Sequence, residues 1–346
     1  MLRREIIEDI VVLLRGFFST PIISSLGRLG VLEAMRSASS FRVDDFPNIA
    51  NKKLLEDSFR YFVRLGLIEN IDSQGEVYRA SDLGKEIFRR SSSFYVPHSY
   101  FGYMYHYHDL IQNPSAEVKY EVERLENVIG SGKTHQRYFP PAISFLKRKV
   151  DFELIADIGC GDGQFLSTFL RAMPNKKVMG IDISELSIEA TYKNLREQYP
   201  QQEVTVVCSD ALDVKKWSQA VHGAAGTDKL VISMWFLLHE ISRNKPDNLI
   251  EFFRQIYELF ATTAIVVGEV VRQSDDILSR HSARSIMPEY LFFHEMSEQG
   301  ILSWEEYQGV LDNIPYELLF ERLFDEATDK NGNKIPSAFV WCLMPK

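Results

Sequence analysis

The chain has 346 residues, with 39 Lys and Arg against 48 Asp and Glu and a formal charge of −9. That length passes the roughly 250 to 300 residues at which a single core stops growing, so two domains are expected. The acidic balance gives no global attraction to nucleic acid, and Cys160, Cys208 and Cys342 lie too far apart for a disulfide framework or a CxxC metal site, which fits a reducing cytoplasm.

The N-terminal MLRREIIEDIVVLL has acids within its apolar run and no small-residue cleavage site, so it reads as mature sequence from Met1. No stretch is expected to reach the roughly 20 apolar residues of a membrane span. Apolar residues at helical spacing over 6–14, 22–35 and 54–67 predict a small helical domain. After it, LIENIDSQGEVYRAS predicts two short strands around Ser73-Gln74-Gly75, followed by the helix start DLGKEIF. Helices followed by a hairpin predict a winged-helix-like domain over 1–97. Lys52 and Lys53 would be its phosphate contacts if it bound DNA, yet residues 1–97 hold 14 basic and 13 acidic side chains. Such near-neutrality favours a dimerisation module.

The stretch 94–107, FYVPHSYFGYMYHY, is too aromatic for a plain linker. It reads as an interdomain helix buried by its rings or as a pocket wall, with Tyr105 and the nearby Asp109 as pocket candidates, inside a connector over 98–150. From residue 154 onward LIADI, KVMGID, EVTVVCSD, KLVISM and AIVVGEV alternate with helices. That alternation predicts an α/β domain over 151–346 with a doubly wound, mostly parallel sheet. The closing runs YELLFERLF and SAFVWCLM, joined by a turn at 329–333, predict a hairpin that adds antiparallel strands to one edge.

Within 154–165, LIADIGCGDGQF, Asp157 closes a strand and Gly159, Gly161 and Gly163 follow as GxGxG, a loop that lets a ligand approach the backbone. A dinucleotide loop would need glycine or alanine where Gln164 stands, and Asp162 would repel a pyrophosphate. Asp157 and Asp162 instead suit a cofactor with a cationic amino-acid end, which points to S-adenosylmethionine. Asp182 ends the next strand, placed to accept from two ribose hydroxyls, and Ser209-Asp210-Ala211 ends the third, where an adenine would lie. Each acid alone could be a helix N-cap; the ordered set at successive strand ends favours the cofactor.

On these motifs residues 150–346 resemble the class I, Rossmann-like methyltransferases. With the winged-helix-like front end, the whole chain resembles the plant-type small-molecule O-methyltransferase superfamily. The resemblance implies a homodimer whose front domain covers the partner's site. The segment SMWFLLHEISRN resembles the one whose histidine is the general base on a phenol, and the matching residue is His239. A second His-Glu pair, His294-Glu295, follows in MPEYLFFHEMSEQG. Two imidazoles and a carboxylate suit a divalent or ferric ion, zinc or iron, that an α-keto acid chelates. In this the chain resembles the bacterial α-keto acid C-methyltransferases, which implies His239 and His294 as metal ligands and carbon methylation through an enolate. 2-Ketoarginine leads as acceptor over branched aliphatic keto acids and phenylpyruvate. A metal-bound histidine cannot also be the base, so the proton would go to water, Glu240 or Tyr105. Two alternatives stand beside this one: O-methylation with His239 as base, and a winged-helix regulator that performs no chemistry.

Overall fold

The structure is a computed structural model and describes residues 2–112, 122–225, 229–281, 286–296 and 299–346. Two compact units divide the chain, Met1–Thr134 and His135–Lys346. Residues 98–134 of the expected connector belong to the first and 135–150 to the second.

In the first unit a long helix, Leu2–Arg28, precedes helices Val31–Ser37 and Lys52–Arg64. The last of these starts where the Asn51 side chain accepts from the Leu54 N–H at 3.0 Å, a cap worth about 1 kcal/mol. It turns Leu55, Phe59 and Phe62 inward at helical spacing. Strands β1 (Ile68–Asn70) and β2 (Tyr78–Ala80) then pair antiparallel. Phe41 bridges Tyr78, so the rings of Phe41, Phe59 and Tyr78 close over the same core. Ser81 caps the helix Asp82–Arg89 that follows. This is the helical, winged-helix-like arrangement expected.

Two expectations for this unit change. The aromatic stretch is not one helix but three short ones, Tyr95–Ser99, Phe101–Tyr105 and Tyr107–Gln112, with Tyr95 and Tyr100 buried and Tyr105 84% exposed. The expectation that no segment reaches membrane-spanning length also fails: Ile10–Arg28 is 19 residues of helix with mean hydropathy 1.6, long and apolar enough by those measures. The acids at Glu5, Glu8 and Asp9 all precede this run and so do not interrupt it; Arg15 and Arg28 are its only charges. Ile10, Val12, Leu13, Leu14, Phe17 and Phe18 stand exposed along it.

The second unit is built on seven strands: β3 (Leu154–Ile158), β4 (Lys177–Asp182), β5 (Val204–Cys208), β6 (Leu230–Trp235), β7 (Ala264–Val270), β8 (Tyr316–Phe324) and β11 (Ala338–Pro345). The short β9 (Ala327–Thr328) and β10 (Lys334–Ile335) form the tip of the closing hairpin. The sheet order is β5-β4-β3-β6-β7-β11-β8, with β11 antiparallel to both β7 and β8. This is the expected arrangement, a mostly parallel sheet with antiparallel C-terminal strands. Alternate residues feed two cores: Leu154, Ala156 and Ile158 enter one, Ile155 the other. With both faces covered, β3, β6 and β7 are buried end to end. The parallel strands all end at one edge, where Gly159, Ser209 and Phe236 follow β3, β5 and β6, Asp182 closes β4 and Glu269 lies near the end of β7.

Candidate active site

The glycine loop leaves β3 through three left-handed residues, Gly159 (φ 74°), Gly161 (φ 57°) and Gly163 (φ 80°), conformations that strain residues with a Cβ. The Gly159 and Cys160 N–H groups donate to the Ile181 carbonyl at 2.7 and 3.0 Å, so the loop is tied to β4. Asp182 is fixed in turn: its Oδ2 accepts from the Gly161 N–H at 3.0 Å and its Oδ1 from the Ser184 N–H at 2.9 Å. The buried Ser209 donates its N–H to the Asp182 carbonyl at 2.9 Å. A carboxylate pinned by two N–H groups is a fixed acceptor, suited to a ribose diol.

Asp157 lies beneath the loop, buried, with Ser233 Oγ donating to its Oδ1 at 2.7 Å. Burial pushes its pKa up to about 8, with the charge of Asp182 adding to the rise. Burial thus favours the protonated form of Asp157 near neutral pH. Asp162, also buried, accepts from Gln164 Nε2 at 3.1 Å, a contact that the residue departing from the dinucleotide pattern supplies. Asp210 is exposed, and its Oδ1 accepts from the Leu212 N–H at 2.9 Å, which makes it the former of its own turn. The Ala211 carbonyl accepts from Trp217 Nε1 at 3.0 Å.

At the ends of β6 and β7 the two histidines singled out by sequence meet. Their rings stand edge to face with centroids 4.8 Å apart. His239 Nδ1 is 3.0 Å from Glu269 Oε1, and the His239 backbone N–H donates to Oε2 at 3.2 Å. His294 Nδ1 donates to the Tyr290 carbonyl at 2.6 Å. Both Nδ1 atoms are committed to oxygen acceptors, so the lone pair of each neutral ring lies on Nε2. Burial alone would lower the His239 pKa, but the charge and hydrogen bond of Glu269, helped by Glu240, hold it above its usual value. His294 is pushed down to about 3 by burial and by His239.

Two residues of this cluster escaped the sequence reading. Glu269 is fully buried in a strand that is otherwise apolar, AIVVGEV; a lone acid inside a buried strand was the available signal. His135 stacks on Phe236 with centroids 3.5 Å apart and is pushed down to about 3 by burial and by His239. It stands a hundred residues before His239, with no motif around it. Glu240 is half-buried beside His239, whereas Tyr105 and Asp109 lie in the first unit, Asp109 within 3.5 Å of His106. Two imidazoles that meet in this way offer the ligand type a metal ion takes. Among the described residues, however, no three His, Cys, Asp or Glu side chains are placed to hold an ion together.

Residues 155–260 match the family described as a methyltransferase domain. That segment runs from the strand bearing Asp157 to the helix before β7. The chain carries a methyltransferase domain. The whole fold is similar to that of the mitomycin 7-O-methyltransferase MmcR, at 12% identity and TM-score 0.61 over 100% of this chain and 99% of that one. It is equally similar to human N-acetylserotonin methyltransferase solved with S-adenosylmethionine, at 16% identity and TM-score 0.61 over 100% and 98% of the two chains. The N,N-8-amino-8-demethyl-D-riboflavin dimethyltransferase RosA from Streptomyces davawensis matches at 12% identity and TM-score 0.58 over 100% of both. None of the curated proteins matches the sequence. The methyltransferase domain makes this an S-adenosylmethionine-dependent methyltransferase, in place of a regulator without chemistry.

Proposed function

We propose that this methyltransferase transfers the methyl group to carbon of a small α-keto acid held at His239 and His294. The observation that carries the reading is the His239–His294 contact, in which the Nδ1 of each ring is held by a protein oxygen. A buried carboxylate on one histidine and a backbone carbonyl on the other are the supports that orient ligating imidazoles. Zinc or iron held by these two nitrogens would supply a Lewis acid for the carboxylate and keto oxygens of the acceptor. The chain's own part is then to orient: Glu269 holds the His239 ring, Asp182 and the glycine loop would hold the cofactor, and Glu240, next to His239 in sequence, would take the proton from carbon.

A second reading has its own observation. A histidine whose Nδ1 is held by a buried carboxylate is also the build of a general base, so His239 could deprotonate a hydroxyl for O-methylation. The relatives named for oxygen as acceptor lend weight to it. Labelled S-adenosylmethionine, offered with phenylpyruvate, 2-ketoarginine, a branched keto acid and a phenol panel, separates the two by where the methyl ends. Carbon methylation lost on chelation, with bound metal lost in His294→Ala, is the expected result. Methylation of a phenol oxygen that survives chelation would overturn it in favour of the second reading. We also propose a homodimer, since a second copy would cover the exposed apolar side chains of Ile10–Arg28; a monomer at sedimentation equilibrium would contradict this.

A further inference from the structure

The turn from β6 to His239 is held in a conformation its residues do not prefer. Phe236 has φ 54°, a left-handed backbone that is disfavoured for a residue with a Cβ. Three contacts hold it there. The Phe236 N–H donates to the Gly268 carbonyl at 2.8 Å. Trp235, just before it, packs its indole where a Cβ on Gly268 would come within 2.5 Å, and Leu237, just after it, lies 3.3 Å from where a Cβ on Gly159 would stand. The turn is therefore wedged between β7 and the first glycine of the cofactor loop.

The strain fixes the direction of one ring. Phe236 lies face to face with His135, centroids 3.5 Å apart and planes 20° from parallel, while Tyr138 meets it at 61° with centroids 5.1 Å apart. A buried phenylalanine that only filled space could do so from an unstrained backbone; strain that persists beside a cluster of buried histidines points to a task. We propose that Phe236 is a positioning residue: its left-handed backbone places its ring against the His135 imidazole and so fixes that imidazole beside His239. The inference rests on the reading of His239 as part of the acceptor site. His135 then has a set orientation before any acceptor arrives, which removes one rotamer search from each turnover.

The test compares Phe236→Leu, which keeps bulk and loses the flat face, with Phe236→Tyr, which keeps both, using His239→Ala as control. NMR of the imidazole protons needs no acceptor. In Phe236→Leu the His135 ring protons move downfield as the ring current is lost and the His239 signals shift with them, while Phe236→Tyr leaves both in place. With phenylpyruvate and 2-ketoarginine as probe acceptors, Phe236→Leu lowers kcat about tenfold, leaves KM for S-adenosylmethionine within about twofold, and Phe236→Tyr restores the rate. Should Phe236→Leu fail to bind the cofactor through misfolding, Phe236→Met carries the same expectation. Unmoved His239 signals and an unchanged kcat in a folded Leu or Met variant overturn the inference alone. Full activity in His239→Ala overturns the site reading beneath it.

Discussion

At the cofactor end of the second unit, Gly159 to Gly163, Asp182 and Ser209 are joined by backbone groups of neighbouring strands. At the histidine end, side chains from three distant segments, His239, Glu269 and His294, meet, and His135 stacks on the Phe236 turn near enough to feel the charge of His239. A cradle made of backbone needs particular residues in an unbroken run, because each glycine must stand where its φ is required. A cluster made of side chains needs only that each residue face the right way, whatever its neighbours. The first kind of site writes a signature and the second scatters it.

If that contrast holds, the two ends break separately. The largest effect is expected from Asp182→Ala, which removes both the proposed ribose acceptor and the partner of the Gly161 and Ser184 N–H groups. Calorimetry should show the cofactor Kd rising about 100-fold, from two lost hydrogen bonds to a charged group. A Kd within a few-fold of wild type would mean that the backbone cradle binds unaided. Next comes Glu269→Gln, which keeps an acceptor near His239 but removes the charge that offsets its burial. We expect kcat to fall about 10- to 100-fold with cofactor Kd unchanged; a parallel loss of cofactor affinity would join the two ends into one unit.

The smallest effect tests a residue that serves the cofactor end with its proton on. Asp157 has its pKa raised from 3.8 to about 8 by burial, so the folded chain binds a proton that the unfolded chain releases. Stability from this group is present at low pH and declines as pH rises through that window. Asp157→Asn, without cofactor, should melt close to wild type near pH 4, then increasingly above it up to pH 8, by a few degrees. Calorimetric scans across that range check it; a gap that narrows with pH would show that Asp157 is ionised in the empty cleft.

The same contrast explains what could be read from sequence. Strand and helix alternation in LIADI, KVMGID and AIVVGEV gave the sheet, because burial on both faces leaves long apolar runs. The candidate cofactor residues Gly159, Gly161, Gly163 and Asp182 stand out as a run and a strand end. His239 and His294 were found through local segments, yet Glu269, the residue that holds His239, was passed over as part of a hydrophobic strand. Its function depends on a partner thirty residues away, and spacing carries no trace of that. His135 was hidden more completely, since its stacking on Phe236 follows from a left-handed turn that no residue type announces. Along the first helix, acids near Ile10 drew attention to a charged start and away from the apolar length that follows.

One further consequence lies in the position of β11. Glu269 is paired in register with Phe339, so the strand that seals it comes seventy residues later in the chain. The glycine loop is held by β3, β4 and Thr191 on the helix after β4, all within residues 154–198. Loop closure over the longer span comes at a greater entropic cost and later in time. As the protein leaves the ribosome, the cofactor cradle can take shape while Glu269 still stands in water, and the histidine cluster becomes a working assembly only when the last strand threads between β7 and β8.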